Sequence, residues 1–260
     1  MEGYEIFKDK VYKKTGINLN SYKERQMKRR IESLITRNNF TSYDSYFNAI
    51  NKDLKLLDEF INYLTINVSE FYRNPQQWEV LESTVIPYLL KNKSKLKIWS
   101  SACSTGEEPY SLVMLLSKFF PLSQISVLAT DIDEGAISKA NKGIYSPKSL
   151  ENLPKEFINS FFEKHNEEYK IKEEIKKQVT FKQFNLLEDE YPKQCDLILC
   201  RNVMIYFTEE AKNDMYKNFH DSLSNEGVLF VGSTEQIILP NRYNLTPLKT
   251  FFYKKTKPII

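Results

Sequence analysis

From about Lys95 onward, short apolar runs alternate with stretches of helical spacing, and no other feature restricts the fold so strongly. The runs are LKIWS (96–100), ISVLATD (125–131), VTFKQFN (179–185), CDLILC (195–200), GVLFVGS (227–233) and TFFYKK (250–255). The intervening helical stretches include PYSLVMLLSKFF, EGAISKANKG and TEEAKNDMYKNFHDSL. Such alternation predicts an α/β fold, a mostly parallel sheet wrapped by helices. Runs that are apolar throughout fit strands buried on both faces. The last run follows its predecessor through PNRYNLTPLK with no crossover helix, so it is expected to pair antiparallel at or near an edge. Residues 145–178 form a longer excursion, read as an inserted subdomain. Within it YKIK alternates like a strand outside the main sheet.

Residues 1 to about 65 show no strand-like alternation and are expected to be all helical. The division expected is a helical domain over 1–70 and a sheet domain over 71–260. One helix is predicted over about 21–37, because Met27, Ile31, Leu34 and Ile35 fall on one face. The same helix carries Lys23, Arg25, Lys28, Arg29, Arg30 and Arg37 against Glu24 and Glu32, a local +4 in a chain whose total is +3. Arg25 and Arg29 lie away from the apolar stripe. Two further helices are expected, through TSYDSYFNAI with Thr41 or Ser42 as N-cap, and through KDLKLLDEFINYLT.

With 41% hydrophobic and 27% charged residues, the chain reads as soluble and globular. No apolar run approaches 18 residues, and the N-terminus has no signal-peptide core. Cys103, Cys195 and Cys200 make an odd number without a CxxC pair, which argues against disulfides or a zinc site and for a reduced, cytoplasmic setting.

Ligands of open α/β sheets bind beyond the carboxyl ends of the strands. The first such loop, in WSSACSTGEEPYS (99–111), has one glycine, Gly106, followed by two acids, Glu107 and Glu108. Neither GxGxxG nor GxxxxGK[ST] is present. A phosphate would meet Glu107 as a like charge. A cation suits it, and Asp131, closing the second run, is placed to accept from ribose hydroxyls. S-adenosylmethionine has an ammonium, a sulfonium, a ribose and no phosphate. A plainer account of the same residues is helix capping: Ser104 with Glu107 fits a capping box, and Pro109 suits a first turn.

Five ordered segments carry a family resemblance: TINVSEFYRN (65–74), SACSTGEEPYS (101–111), ATDID (129–133), FNLL (184–187) and CRNVMIYF (200–207). Together with the basic helical N-terminal region, they resemble the chemotaxis receptor methyltransferases, the CheR family. The resemblance implies a Rossmann-like S-adenosylmethionine-dependent fold with a small inserted β subdomain. It implies transfer of methyl to glutamate side chains on chemoreceptor cytoplasmic helices, with S-adenosylhomocysteine as product and no metal. It implies that Asn67, Ser69, Arg73, Glu107, Asp131, Asn185, Leu186, Arg201 and Asn202 hold the cofactor. Ser69 stands where the family often has threonine. Arg73 and Tyr206 are expected nearest the transferring methyl. Arg25, Lys28 and Arg29 are expected to meet acidic receptor helices. The partners expected are methyl-accepting chemoreceptors and not nucleic acid, with membrane proximity only through the receptor. In some members the inserted subdomain docks a peptide from the receptor's C-terminus.

The chemistry implied needs no general base, since a glutamate is already ionised at neutral pH. Neither His165 nor His220 is therefore expected to act. The basic helix keeps two alternatives open, a methyltransferase for nucleic acid or for a small molecule. A third is a cofactor-binding signalling module without turnover.

Overall fold

The computed structural model describes residues 1–91 and 93–256. The chain divides into two compact units, one of residues Met1–Asn67 with Ile205–Asp214, the other of Val68–Met204 with Met215–Ile260. No helix among the described residues is long and apolar enough to cross a membrane.

The first unit contains helices α1 (Tyr4–Thr15), α2 (Glu24–Arg37), α3 (Tyr43–Ile50) and α4 (Leu54–Thr65). Each boundary has a local cause. Gly16, at φ 72°, closes α1 by donating to the Tyr12 carbonyl. Ser42 and Asp53 cap α3 and α4 by accepting from Ser45 N and Lys55 N. The apolar stripe of α2 is buried as its spacing predicts. It packs in a core with Phe7, Tyr43, Tyr46 and Phe60, whose rings meet at 5.0–6.0 Å. Helix α2 starts at Glu24, later than the expected 21. Leu19–Ser21 instead forms a single 3-10 turn, and the backbone of 21–23 is drawn to 206–208. There Lys23 N donates to Tyr206 O at 2.9 Å, and Thr208 N donates to Ser21 O at 2.9 Å.

In the second unit, helices α5 (Pro75–Val80) and α6 (Ile86–Leu90) lead to strand β1 (Ile98–Ser100). Then follow α7 (Glu107–Leu116), β2 (Val127–Asp131) and α8 (Glu134–Lys142). A small insertion comes next, with β3 (Ile144–Tyr145), α9 (Lys155–Phe161), β4 (Phe162–His165), β5 (Glu168–Ile171) and α10 (Glu173–Lys176). The main sheet resumes with β6 (Val179–Gln183), β7 (Cys195–Cys200) and, after α11 (Glu209–Ser222), β8 (Leu223–Val231). Strands β9 (Leu245–Lys249) and β10 (Phe252–Lys255) complete it.

The main sheet has the order β6-β2-β1-β7-β8-β10-β9. Its first five strands run parallel, and β10 is antiparallel to both neighbours. Strand order reverses between β1 and β7, so the loops after these strands diverge and leave a crevice, the usual ligand site of such sheets. The final run thus pairs antiparallel, as its lack of a crossover predicts, but one place inside the edge. The edge itself is β9, which lay unrecognised in the connecting stretch. Pro247 disguises it, and proline is tolerated there because an edge strand needs fewer ladder donors.

Strands β1 and β7 are buried along their whole length. So is nearly all of α7, with Glu107, Pro109, Tyr110 and every residue from Ser111 to Leu116 inside. A helix apolar all round belongs in the middle of a core. The insertion forms a three-stranded antiparallel sheet, β3-β5-β4, of which only β5 had a strand-like sequence. Phe71 packs edge-on against Tyr145 and Phe162 of this small sheet.

Candidate functional site

The loop from β1 to α7 is built around two backbone demands. Ser104 has φ 47° and Gly106 has φ 95°. At Gly106 a Cβ would lie 2.8 Å from Ala140 Cβ and 3.0 Å from the Tyr145 hydroxyl, so no other residue fits without displacement. The Tyr145 hydroxyl donates to Thr105 O at 2.8 Å, tying the small sheet to the loop.

The capping account of this loop is corrected by the geometry. Gly106 is the N-cap of α7, and no side chain caps the helix. The Ser104 backbone is turned so that its N–H donates to Asp131 Oδ2 at 2.8 Å. Glu107 accepts from Thr105 Oγ1 at 2.7 Å and from the Ser69 hydroxyl. Nor does Asp131 cap α8; Asp133 does, accepting from Ala136 N.

Two buried carboxyls therefore stand just beyond and at the carboxyl ends of the successive parallel strands β1 and β2. Glu107 is 4% exposed and Asp131 8%. Burial pushes the Glu107 carboxyl up, against the hydrogen bonds from Thr105 and Ser69. Burial also pushes Asp131 up, to about 6, against the N–H groups of Asp133 and Ser104. A buried acid held by dipoles alone gains most from a cation or from hydroxyl donors. This pair of acceptors fits a nucleoside carrying an ammonium and a ribose.

The other expected residues fall as follows. Arg73 is half-buried between Tyr72 (φ 53°) and Asn74 (φ 60°), and its Nη1 donates to Val68 O at 3.1 Å. Arg201, just past β7, has its guanidinium turned inward, with the side chain 2% exposed. Asn202 sits at φ 61°, and its N–H donates to Glu235 Oε2 at 2.6 Å. Asn185 follows β6 in an Asx turn, its Oδ1 accepting from Leu187 N, while Leu186 is buried. Ser69, Arg73, Glu107, Asp131, Asn185, Leu186, Arg201 and Asn202 all belong to the second unit; Asn67 and Tyr206 belong to the first. Arg25 and Arg29 are exposed on α2 with no ion-pair partner among the described residues. Lys28 lies over the Tyr4 ring at 5.3 Å.

Sequence reasoning placed Glu235 among the residues after the fifth apolar run but gave neither it nor Gly232 a role. Glu235 is 6% exposed and accepts from both Gly232 N and Asn202 N. A Cβ on Gly232 would collide with that carboxylate. A lone glycine followed three residues later by an acid after β8 was the only available signal.

A doubly wound sheet whose first loop offers buried acids in place of a phosphate cradle defines a nucleoside-dependent transferase class. Residues 67–252 match the family described as "CheR methyltransferase, SAM binding domain", and residues 2–65 match "CheR methyltransferase, all-alpha domain". The chain is 44% identical to the chemotaxis protein methyltransferase of Listeria innocua, over 97% of both chains. It is 42% identical to that of Listeria monocytogenes, again over 97% of both. With the Borreliella burgdorferi protein of the same description it shares 33% identity, over 94% of this chain and 91% of the other. The chain belongs to the CheR methyltransferase family and is an S-adenosylmethionine-dependent methyltransferase of chemotaxis.

Proposed function

We propose that the chain esterifies glutamate side chains on the cytoplasmic helices of methyl-accepting chemoreceptors. The observation that carries the cofactor half is the pair of buried acids, Glu107 after the β1 loop and Asp131 at the end of β2. In this reading Glu107 takes the ammonium end of the cofactor and Asp131 its ribose. Asn185 and Leu186 flank the adenine. Arg201 and Asn202 line the methionine end, and Asn67, Ser69 and Arg73 complete the cover. The receptor half rests on family membership.

The cofactor supplies a methyl group on a sulfonium, from which a neutral thioether departs. The chain's own groups have no proton to move, because the attacking carboxylate is already ionised. Their work is alignment and exclusion of water. Holding an attacking oxygen in line can supply up to about 7–11 kcal/mol. Arg73 is the group assigned to orient the carboxylate, and the family resemblance assigns Tyr206 the same task. Arg25, Lys28 and Arg29 would meet acidic receptor helices by charge complementarity, a contact weakened by salt. His165 ends β4 in the small sheet and His220 pairs with Asp221, so neither is given a part.

The test is tritiated methyl transfer onto receptor-containing membranes. Label released by mild base as methanol is the expected result. Label that resists mild base would mean methylation at nitrogen or carbon and would overturn the reading.

A further inference from the structure

Glu107 and Glu108 are neighbours at the start of α7, yet they face different surroundings. Glu107 accepts from Thr105 Oγ1 and the Ser69 hydroxyl. Glu108 turns inward, accepts from Ser100 Oγ at 2.8 Å and pairs with Arg201 Nη1 at 3.3 Å. No role in the family reading falls to Glu108.

Arg201 carries this contact to the segment that holds Arg73. Its Nη2 donates to Arg73 O at 2.7 Å, to Gln77 Oε1 at 3.0 Å and to Asn74 Oδ1 at 3.3 Å. The guanidinium lies over the rings of Phe230 at 4.7 Å and Trp78 at 5.7 Å. Trp78 Nε1 donates to the same Arg73 carbonyl at 3.1 Å. Both lone pairs of that carbonyl are thus held by buried donors. Arg73 itself lies between two left-handed residues, Tyr72 and Asn74. Non-glycine residues keep such φ values only when the surroundings over-determine them. Tyr72 N is fixed from the other side by Ser111 Oγ on α7, at 3.1 Å.

Charge gives Glu108 its part. A buried guanidinium needs a counter-ion, and Glu108 is its ion-pair partner. With Arg201 balanced in this way, the neighbouring charge of Arg73 is left to face an incoming carboxylate.

We propose that Glu108 and Arg201 are positioning residues for methyl transfer: a buried ion pair that grips the main chain at Arg73 and presents its guanidinium to the substrate carboxylate. This rests on the reading of Arg73 as the orienting group. Substitution at Glu108 should therefore act through Arg73 and leave the cofactor's hold largely intact.

A double-mutant cycle tests it, with kcat for methylation of receptor-containing membranes and calorimetric affinity for S-adenosylhomocysteine as readouts. Glu108→Gln is expected to lower kcat about tenfold or more with affinity changed less than about threefold. In an Arg73→Ala background the same substitution should cost less than about a further twofold, because contacting groups couple. A full tenfold loss on top of Arg73→Ala would overturn the proposal. So would a parallel loss of affinity, or an unchanged kcat in Glu108→Gln. Should Glu108→Gln fail to fold, Gln77→Met removes one acceptor without stranding a charge. It carries the same cycle, with an expected loss of about threefold and the same overturning results. Arg73→Ala at wild-type kcat would defeat the catalytic reading together with the proposal. An impaired Arg73→Ala with additive losses defeats the proposal alone.

Discussion

Asp131 and Asp196 are both buried aspartates on strands of one sheet, at opposite ends of it. Asp196 lies at the amino end of β7. It pairs with Lys93, accepts from Ser224 Oγ at 2.6 Å and accepts from Lys97 N at 2.8 Å. Asp131 closes β2 at the carboxyl end and accepts from the backbone N–H groups of Ser104, Asp133 and Ile132. Among the described residues no Lys or Arg pairs with it. One end of the sheet therefore balances its own acid, and the other leaves an acid to be balanced from outside. The contrast separates stability from binding within a single sheet, and each half can be tested.

The largest effect is expected at the amino end. Asp196→Ala leaves Lys93 without its counter-ion and Lys97 N without an acceptor. Unfolding free energy should fall by roughly 3–4 kcal/mol in urea titration, near the low end for broken buried pairs because Lys93 is partly exposed. Cofactor affinity of the folded protein should stay as it was. A matching loss of affinity would merge the two ends.

The carboxyl end should show opposed pH dependences. Asp131 titrates at about 6 in the folded chain against an ordinary 3.8, so the folded state favours the neutral acid. Its contribution to stability is full below about pH 4 and is lost as pH rises through about 6, on the order of 3 kcal/mol. Affinity for S-adenosylhomocysteine should run the other way, falling about fourfold between about pH 7.5 and pH 5.5. Thermal scans of ligand-free protein and calorimetry across that range read both slopes. Slopes of the same sign would remove the distinction.

Smaller again is the effect of Glu107→Gln, which keeps the hydrogen-bonding shape and deletes the charge. Affinity for S-adenosylmethionine should drop about thirtyfold, while stability stays level or rises by up to about 1 kcal/mol. A variant that binds normally would show that Glu107 serves the helix alone.

Much of this was legible in the sequence. Apolar runs located every parallel strand of the main sheet, and the residues after them located the crevice acids. Spacing alone did not separate the two acids opening α7, and only the family resemblance singled out Glu107, since successive residues of a helix point about 100° apart and packing decides which one faces inward. Strand β9 escaped because Pro247 breaks its pattern. Strands β3 and β4 escaped because they are short and largely solvent-facing. The clamp on Arg73 lay beyond reach for another reason. It joins α5, α7, β7 and β8 through single side chains, and such long-range convergence leaves no periodic trace.

Helix α7 carries Glu107 and Glu108 while being enclosed on nearly every side. Its orientation is therefore a property of the entire interior. A methyl trimmed from Leu112, Val113 or Leu116 would cost about 0.5–1.5 kcal/mol and loosen the packing that fixes where both acids stand. In this protein turnover becomes a gauge of interior packing. Substitution in this part of the core is therefore answerable to catalysis as well as to folding.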